Sequence, residues 1–353
     1  MTVVAGLVTG PPALASPGTA PTPTSPQVAV VVAVLDTGIA AHPDLGWRVQ
    51  PDGSGRSGGV LLPGYDFVSD PWIGADGDGW DPDPTDQGDG VRLSDVAERS
   101  ECRTRVSSWH GTNVAGTVAA QGVADRRTFD IVPDSKILPV RIMGRCGGNT
   151  ADVAAGLLWA VGEPVPGVPD NPYPAKLVNV SLSGAAERCP RSLQTAIDVA
   201  TQRGATVVVA AGSAARNTAV STPANCDGVL VVGSVDKFGK RSPTSNYGAE
   251  VALSAVGGDM STGERNGVYT TTNKGPYRPG KPGYGYYQSS SAAAARVTGL
   301  LAKLAARHPE ASAEHLVGLL TSRSEPFAQG QCDQGDGNCG LGIVDITRDA
   351  NGP

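Results

Sequence analysis

A run of eight apolar residues, VAVVVAVL at positions 28–35, constrains the fold of this chain more than any other feature. It is rich in valine, too short for a typical helix, and ended by Asp36, Thr37 and Gly38. Such a run is typical of a central parallel strand that is covered on both faces. Similar runs occupy positions 137–142, 177–182, 206–211 and 229–232. The pattern predicts a buried, mostly parallel sheet.

Helical patterns lie between and after these runs. They cover residues 150–161, 191–202, 291–307 and 312–321. Thr150 and Ser312 are candidate N-caps, and Gly204 is a stop signal after the second helix. Strands that alternate with helices imply βαβ crossovers, so we predict an α/β fold of three layers with helices on both faces of the sheet. Segments 51–108 and 257–288 show no regular pattern, and irregular stretches of this length usually carry function.

Composition excludes several classes of protein. The chain has 353 residues and a formal net charge of −6, without a cluster of Lys or Arg, which argues against nucleic acid as a partner. No window reaches the roughly 18 apolar residues that a membrane span needs. Six cysteines, an even number, fit an exported protein with a few disulfides. We therefore expect a soluble, secreted protein.

Residues 1–27 differ in composition from the rest of the chain. The first 12 are small and apolar, and Ala13-Leu14-Ala15 fits the small-x-small rule for signal cleavage, but the usual basic segment is missing. A disordered leader rich in Ala and Pro is the alternative interpretation. Residues 16–27 are rich in Pro and Thr, as in an extended linker. We expect order to begin near Val28 and treat 28–350 as one domain, although the length alone would allow two.

Only four histidines are available as a catalytic base. His308 and His315 belong to the C-terminal helical patterns, where surface positions are expected. For His42, just after the first strand, a local structural hydrogen bond is the expected role. His110 opens the segment HGTNVAG, whose two glycines allow close helix packing, and is the candidate base.

Two further segments supply candidate catalytic groups. Asp36 ends the first strand, and the carboxyl ends of parallel strands are where catalytic groups gather. A buried carboxylate there needs a partner, although Asp36 could instead cap the following turn. Ser291 stands at the start of a helix of small residues, where backbone N–H groups and the helix dipole favour an oxyanion. Taken alone, the three serines at 289–291 would be interpreted as a helix N-cap.

Together these segments resemble the subtilisin-like (S8) serine peptidases, whose triad runs in the order Asp, His, Ser. The resemblance spans positions 28–346. Within the family, the chain is most similar to the secreted, disulfide-containing bacterial branch. The segments that carry it are SSWHGT at 107–112, KILPVR at 136–141, PAK at 174–176 and SNYG at 245–248. It implies a secreted endopeptidase that acts on polypeptides, with Ser291 as nucleophile, His110 as general base and Asp36 orienting the imidazole.

The resemblance also implies properties of the whole molecule. The chemistry needs no cofactor, and we expect a monomer. Members of the family are normally made with an N-terminal prodomain, and the 27 residues before Val28 are too few for one. We therefore expect no prodomain in this chain.

Three departures from the family pattern bear on activity. Ser213 stands where the family has the Asn that donates to the oxyanion, Ser289 replaces a Gly beside the nucleophile, and Ser183 replaces another Gly. Loss of that Asn costs about 10²- to 10³-fold in turnover in a member of this family. The predicted oxyanion donors are therefore Ser213 and the N–H of Ser291, and activity is expected to be reduced. A weak or inactive protein that binds extended peptides is the alternative.

The resemblance implies further sites. Substrate should bind along the segment that comprises Ser181, Leu182, Ser183 and Gly184, where Ser183 narrows the primary specificity pocket. Six cysteines allow 15 pairings, and the resemblance favours Cys102–Cys146, Cys189–Cys226 and Cys332–Cys339.

Carboxylates crowd one Gly/Pro-rich loop of the chain. They are Asp76, Asp78, Asp81, Asp83 and Asp86, with Asp70 and Asp89 flanking them. Such a loop could hold a structural Ca²⁺, which the family often uses. A solvated acidic loop is the alternative, since runs of charge are usually solvated.

Overall fold

The computed structural model describes residues 29–46, 48–49, 56–57, 59–120, 135–333 and 338–344. The predicted leader at 1–27 and the end of the predicted domain beyond 344 lie outside this range. The strands are β1 (Val30–Asp36), β2 (Arg48–Val49), β3 (Arg56–Ser57), β4 (Tyr65–Asp66), β5 (Ser135–Arg141), β6 (Leu177–Val180), β7 (Gly184–Ala185), β8 (Thr206–Ala210), β9 (Ser221–Thr222), β10 (Val229–Val235), β11 (Val251–Val256), β12 (Val268–Asn273), β13 (Pro282–Tyr287) and β14 (Ile343–Val344). The helices are α1 (Pro71–Gly74), α2 (Leu93–Glu98), α3 (His110–Ala119), α4 (Thr150–Ala160), α5 (Arg191–Gln202), α6 (Ser290–Arg307) and α7 (Ala313–Thr321).

The valine-rich strands form one parallel sheet of eight strands in the order β14-β11-β10-β8-β6-β1-β5-β4. Every pairing in this sheet is parallel. Strand β1 lies between β5 and β6, so its apolar run is covered on both sides and both faces. The predicted central strand is therefore confirmed.

Helices cover both faces of the sheet, each over its own apolar core. Alternate side chains of β1 divide between the two cores: Val32 and Val34 pack with α3 and α6, whereas Ala33 and Leu35 pack with α4 and α5. Each large apolar side chain buried in this way contributes about 1.5–3 kcal/mol. The three-layer α/β fold is confirmed.

The structure contains elements that were not predicted from the sequence, among them β4, α1 and α2 within the stretch 51–108 that was predicted to be irregular. Strand β11 was missing from the predicted strands, and the antiparallel hairpin of β12 and β13 lies within the stretch 257–288 that was predicted to be irregular. The hairpin strands carry Thr, Gly and Tyr, whose alternation lacks the apolar face that marks a strand.

Helix boundaries follow the predicted signals with one exception. Ser312 caps α7 through its side chain, and Gly204 adopts a left-handed φ of 79° just beyond α5. Helix α4 is capped by Asn149 and not by Thr150, because the Asn149 side chain accepts a hydrogen bond from the Asp152 N–H.

The six cysteines form three disulfides, Cys102–Cys146, Cys189–Cys226 and Cys332–Cys339. The first joins the segment after α2 to the loop after β5, and the second joins the start of α5 to the segment after β9. These are the pairs that the resemblance implied. Of the helices in the described ranges, none combines the length and apolar character that a bilayer crossing requires.

Candidate active site

Asp36 and His110 meet at the carboxyl edge of the sheet. Asp36 is the last residue of β1 and His110 the first of α3. The Nδ1–H of His110 donates to both carboxylate oxygens of Asp36, at 2.8 and 2.9 Å. Asp36 is only 1% exposed, so its charge is shielded from water and paired with the imidazole. A buried carboxylate bonded to Nδ1 fixes the tautomer that leaves Nε2 free to accept a proton.

The backbone around His110 requires a glycine at position 111 and a residue with a left-handed φ at position 109. A Cβ on Gly111 would lie 2.1 Å from the carbonyl oxygen of Gly38, so only glycine allows α3 to approach β1 this closely. Trp109, which precedes His110, has a left-handed φ of 54°. Its buried indole N–H donates to the Gly275 carbonyl at 2.8 Å, which helps to hold this conformation.

Carboxylates raise the pKa of His110. Burial of the ring lowers this pKa, but Asp36, Asp89 and Asp86 outweigh burial, so the pKa lies above its ordinary value of 6.5. Asp89 is itself held by the N–H and hydroxyl of Ser108, at 2.6 and 2.9 Å, and pairs with Arg105.

A second buried carboxylate, that of Asp86, is connected to the Asp36–His110 pair through Thr37. Asp86 accepts a hydrogen bond from the Thr37 hydroxyl at 2.7 Å, and that hydroxyl accepts one from the Gly111 N–H at 3.0 Å. The Thr37 N–H in turn donates to Asp36 at 2.8 Å. Burial raises the pKa of Asp86 to about 7, although the Thr37 hydroxyl acts in the opposite direction. Asp86 thus belongs to the base of the site, a role that sequence reasoning missed.

The only signal for this role in the sequence was Gly88. Its left-handed φ of 95° and its N–H bond to Asp86 make the tight turn that folds the carboxylate inward. A glycine two residues after an aspartate is too common in loops to have been decisive.

The candidate nucleophile Ser291 lies in the first turn of α6. Its hydroxyl donates to the Ser181 carbonyl at 3.1 Å, and the described structure contains no hydrogen bond between Ser291 and His110. Ser289, at the family's glycine position, has an extended φ of 180° that any residue can adopt, and its side chain caps α6. The glycine missing at this position is therefore not required by the backbone.

The candidate oxyanion donor Ser213 is exposed and contacts the same helix N-terminus. Its Oγ accepts a hydrogen bond from the Ser290 N–H at 3.2 Å and lies 3.2 Å from the Ser290 hydroxyl. The Ser290 hydroxyl accepts one from the Gly212 N–H at 3.0 Å. The hydroxyls of Ser213 and Ser290 therefore both lie at the N-terminus of α6, where Ser291 also lies.

A cavity of about 270 Å³ lies along the predicted substrate segment. Leu182, Ser183 and Gly184 form one wall, and Met143 and Leu193 belong to the remaining lining. Ser181 is buried below, whereas Ser183 and Gly184 are exposed. The Ser183 hydroxyl lies 3.1 Å from the place that a Cβ on Gly212 would occupy, so these two segments approach each other closely.

The five candidate calcium ligands do not converge. Asp76 pairs with the buried Arg141, Asp81 accepts from the Asp83 N–H, and Asp86 bonds to Thr37. Asp78 is exposed. Within the described ranges no group of three or more His, Cys, Asp or Glu side chains could hold a metal ion. These donors do not fit calcium as they stand, and the calcium site remains a prediction that a binding titration would test.

The other histidines have the predicted surroundings. His42 is buried, accepts the Asp44 N–H at its Nδ1, and contacts the Gly283 carbonyl through Nε2. Burial lowers the pKa of His42, so the neutral ring is favoured. His308 and His315 are exposed.

Comparison with known proteins shows the family of this chain. The sequence profile of the subtilase family (peptidase S8) matches residues 28–339. An extracellular protease of Xanthomonas campestris pv. campestris is 37% identical over 314 residues, which cover 89% of this chain and 50% of that protein. An extracellular basic protease of Dichelobacter nodosus is 38% identical over 275 residues, or 77% of this chain and 42% of that protein. The chain thus spans half or less of the length of these two curated relatives.

A solved structure of a protease from Pseudoalteromonas arctica has the same architecture. It superposes with a TM-score of 0.78 and 39% sequence identity, covering 91% of this chain and 89% of that one. The class is therefore that of subtilisin-like serine peptidases, and the chain belongs to the subtilase family.

Proposed function

We propose that this protein is a secreted serine endopeptidase that cleaves polypeptides through an acyl-enzyme. The observation that supports it most is the Asp36–His110 pair, bonded at 2.8 Å at the edge of the sheet, together with Ser291 in the first turn of α6. A serine hydroxyl is a poor nucleophile until an adjacent imidazole takes its proton. The pair supplies an oriented imidazole of raised pKa for this purpose.

The reaction would begin with an extended peptide lying along residues 181–184 and its side chains in the adjoining cavity. Ser291 must first turn its hydroxyl from the Ser181 carbonyl towards His110, a rotation about χ1 that costs one hydrogen bond. As Ser291 Oγ attacks the substrate carbonyl carbon, Nε2 of His110 takes the hydroxyl proton. Asp36 stabilises the imidazolium and stays ionised.

The tetrahedral oxyanion would receive hydrogen bonds from the Ser291 N–H and the Ser213 hydroxyl. His110 then returns its proton to the leaving nitrogen, the C–N bond breaks, and the acyl group remains on Ser291. A water molecule releases the acyl group by the same steps with His110 again as base, which regenerates the serine.

Secretion forms part of the proposal. Three disulfides favour an oxidising compartment, and the curated relatives are named extracellular proteases.

A non-catalytic protein that binds extended peptides is the second candidate. It is favoured by the Ser291 hydroxyl, which bonds to Ser181 and not to His110. The exposed residues Ser183 and Gly184 could pair with a peptide by strand addition in either case.

Labelling with a fluorophosphonate, followed by mapping of the labelled peptide, separates the two candidates. We expect covalent labelling of Ser291 in the wild type and in the Ser289→Ala variant, and none in Ser291→Ala. The Ser289→Ala control shows that the probe reads position 291 and not the neighbouring hydroxyl. Folded wild-type protein that takes up no label and leaves casein intact would exclude the peptidase.

A further inference from the structure

The tip of the β12–β13 hairpin carries an exposed cationic surface. Lys274, Arg278 and Lys281 lie at this tip and all three are exposed, while the hairpin contains no Asp or Glu. The Lys274 ammonium donates to the Tyr284 carbonyl, and within the described ranges none of the three cations forms a salt bridge. Because the whole chain has a net charge of −6, a local cluster of positive charges is unexpected.

The tip is held in place and does not hang free in solvent. Asn273 accepts hydrogen bonds from the N–H groups of Gly275 and Gly280, at 2.9 and 2.7 Å, which closes the loop. The Pro276 carbonyl accepts the Ser107 N–H at 2.7 Å, and the Gly275 carbonyl accepts the Trp109 indole. The backbone that carries the three cations is therefore fixed before any substrate arrives, which lowers the entropy cost of binding.

These contacts place the tip beside the catalytic imidazole. Trp109 immediately precedes His110, and Ser107 lies three positions before it. From the tip, the hairpin runs along α3 as far as Tyr287, whose hydroxyl lies 3.2 Å from the Thr117 hydroxyl. The hairpin thus lies against α3, on the α3/α6 side of the sheet.

The cavity of about 270 Å³ lies on the opposite side, where Val153 of α4 and Leu193 of α5 line it. A peptide that places its acyl side in this cavity and its scissile carbonyl at Ser291 must direct its leaving-group side past His110. The cations of the hairpin tip lie on that side.

We propose that the hairpin tip selects substrates with acidic side chains shortly after the scissile bond. The inference rests on the proposed peptidase activity and adds a substrate preference to it. Among the charges near the tip, Asp89 is paired with Arg105. Arg92 lies over the Tyr277 ring and adds a further cation, and the Asp95 carboxylate accepts the Arg92 N–H. An exposed ion pair contributes up to about fivefold, so two pairs together should give a preference of about 3- to 20-fold.

Two quenched fluorescent peptides test this preference. Both share one apolar acyl side chosen for the cavity lined by Met143, Leu182 and Leu193, and they differ only in Glu-Glu or Gln-Gln at the second and third positions after the scissile bond. We expect kcat/KM to be about 3- to 20-fold higher for the Glu-Glu peptide at low ionic strength, and the ratio to fall towards one in 0.5 M NaCl because salt screens exposed charges.

Charge-matched variants assign the preference to the tip. Arg278→Gln/Lys281→Gln should bring the Glu-to-Gln ratio close to one, and Arg278→Glu/Lys281→Glu should reverse it. The control Lys237→Gln/Lys240→Gln removes the same charge from exposed positions on the β10–β11 connection and should keep the wild-type ratio.

A binding measurement separates failure of this inference from failure of the proposed function. The same peptides are titrated calorimetrically into the Ser291→Ala protein, where tighter binding of the Glu-Glu peptide is expected. Cleavage of both peptides at equal rates, or equal binding of both, overturns the tip preference and leaves the peptidase intact. A wild type that cleaves nothing but binds the Glu-Glu peptide more tightly overturns the peptidase and leaves the charge preference of the surface intact.

Discussion

At the scale of a single residue, the proposed oxyanion donor Ser213 is expected to limit how well this site stabilises an oxyanion. Its hydroxyl belongs to a pair with Ser290 in which it accepts the Ser290 N–H. A serine side chain is shorter than that of the asparagine that the family has at this position, so its donor begins farther from the substrate.

We expect Ser213→Asn to raise kcat, by up to about 10²-fold, with little change in KM, because the longer amide donates to charge that develops only in the transition state. Steady-state kinetics on a chromogenic peptide measures both constants. Ser213→Ala is the matched control and should lower kcat. Equal kcat in all three proteins would show that position 213 contributes nothing to the oxyanion site.

The raised pKa of His110 predicts the pH dependence of catalysis. His110 acts as a base only when neutral, and Asp36, Asp89 and Asp86 raise its pKa above 6.5 in spite of its burial. The acid limb of kcat/KM should therefore have its midpoint above pH 6.5. Replacing Asp89 by Asn removes a carboxylate that stabilises the imidazolium and should move this midpoint to lower pH.

The pH profile of kcat/KM for wild type and Asp89→Asn provides the measurement. Lys237→Gln, at an exposed position on the β10–β11 connection, is the control and should leave the midpoint unchanged. A midpoint that stays fixed in Asp89→Asn, or moves upward, would contradict the electrostatic role of this carboxylate.

At the scale of elements, the contact between α3 and the hairpin supports the helix that begins with the candidate catalytic residue His110. The Thr271 hydroxyl donates to the Thr112 carbonyl at 2.7 Å, and the Thr270 hydroxyl to the Asn113 carbonyl at 3.0 Å. Gly116 makes this contact close, since a Cβ there would lie 1.9 Å from the Thr271 hydroxyl oxygen. A helix without side-chain bulk at this position can lie directly against a strand.

Gly116→Ala should lower the free energy of unfolding by about 1–3 kcal/mol, because the added methyl group forces α3 and β12 apart. Urea denaturation measures the change. Gly318→Ala in α7 is the matched control: nothing lies within 4 Å of its Cβ position, so the better helix propensity of Ala should stabilise the protein by about 0.5–1 kcal/mol. Stabilisation by both substitutions would contradict the tight contact between α3 and the hairpin.

At the scale of the whole molecule, the disulfides differ in the length of chain that they close. Cys102–Cys146 and Cys189–Cys226 close separations of 44 and 37 residues, whereas Cys332–Cys339 closes 7. A longer loop loses more conformational freedom in the unfolded chain when it is closed.

We expect Cys102→Ser/Cys146→Ser to cost about 4 kcal/mol of unfolding free energy and Cys332→Ser/Cys339→Ser about 2.4 kcal/mol, from the loop lengths alone. Guanidinium denaturation of each double variant beside the wild type measures both costs. A larger loss from the short loop would show that native contacts and not chain entropy set the contribution of these bonds.

Much of the fold could be predicted because its signals are local. Eight consecutive apolar residues predict β1 whatever the rest of the chain does in the fold. Ser312 caps α7 through a hydrogen bond to a residue three positions away. The hairpin of β12 and β13 could not be predicted in the same way. Its strands are polar or glycine-rich, and they are stabilised by α3, which lies more than 150 positions earlier in the chain.

The sequence by itself determined the parallel sheet and the identity of Asp36, His110 and Ser291 as candidate catalytic residues, since each depends on a short motif and on the order of motifs along the chain. Only the tertiary structure decided that Asp86 lies beneath Thr37, that Ser291 faces Ser181, and that a cationic hairpin tip lies beside His110. Those contacts join residues 49, 110 and 166 positions apart, and their formation depends on how the helices pack across the sheet. A local pattern of residue types does not specify which distant side chains will be brought together when the helices and strands pack. The contact of Asp86 with Thr37 and the place of the cationic hairpin tip therefore appear only in the folded molecule.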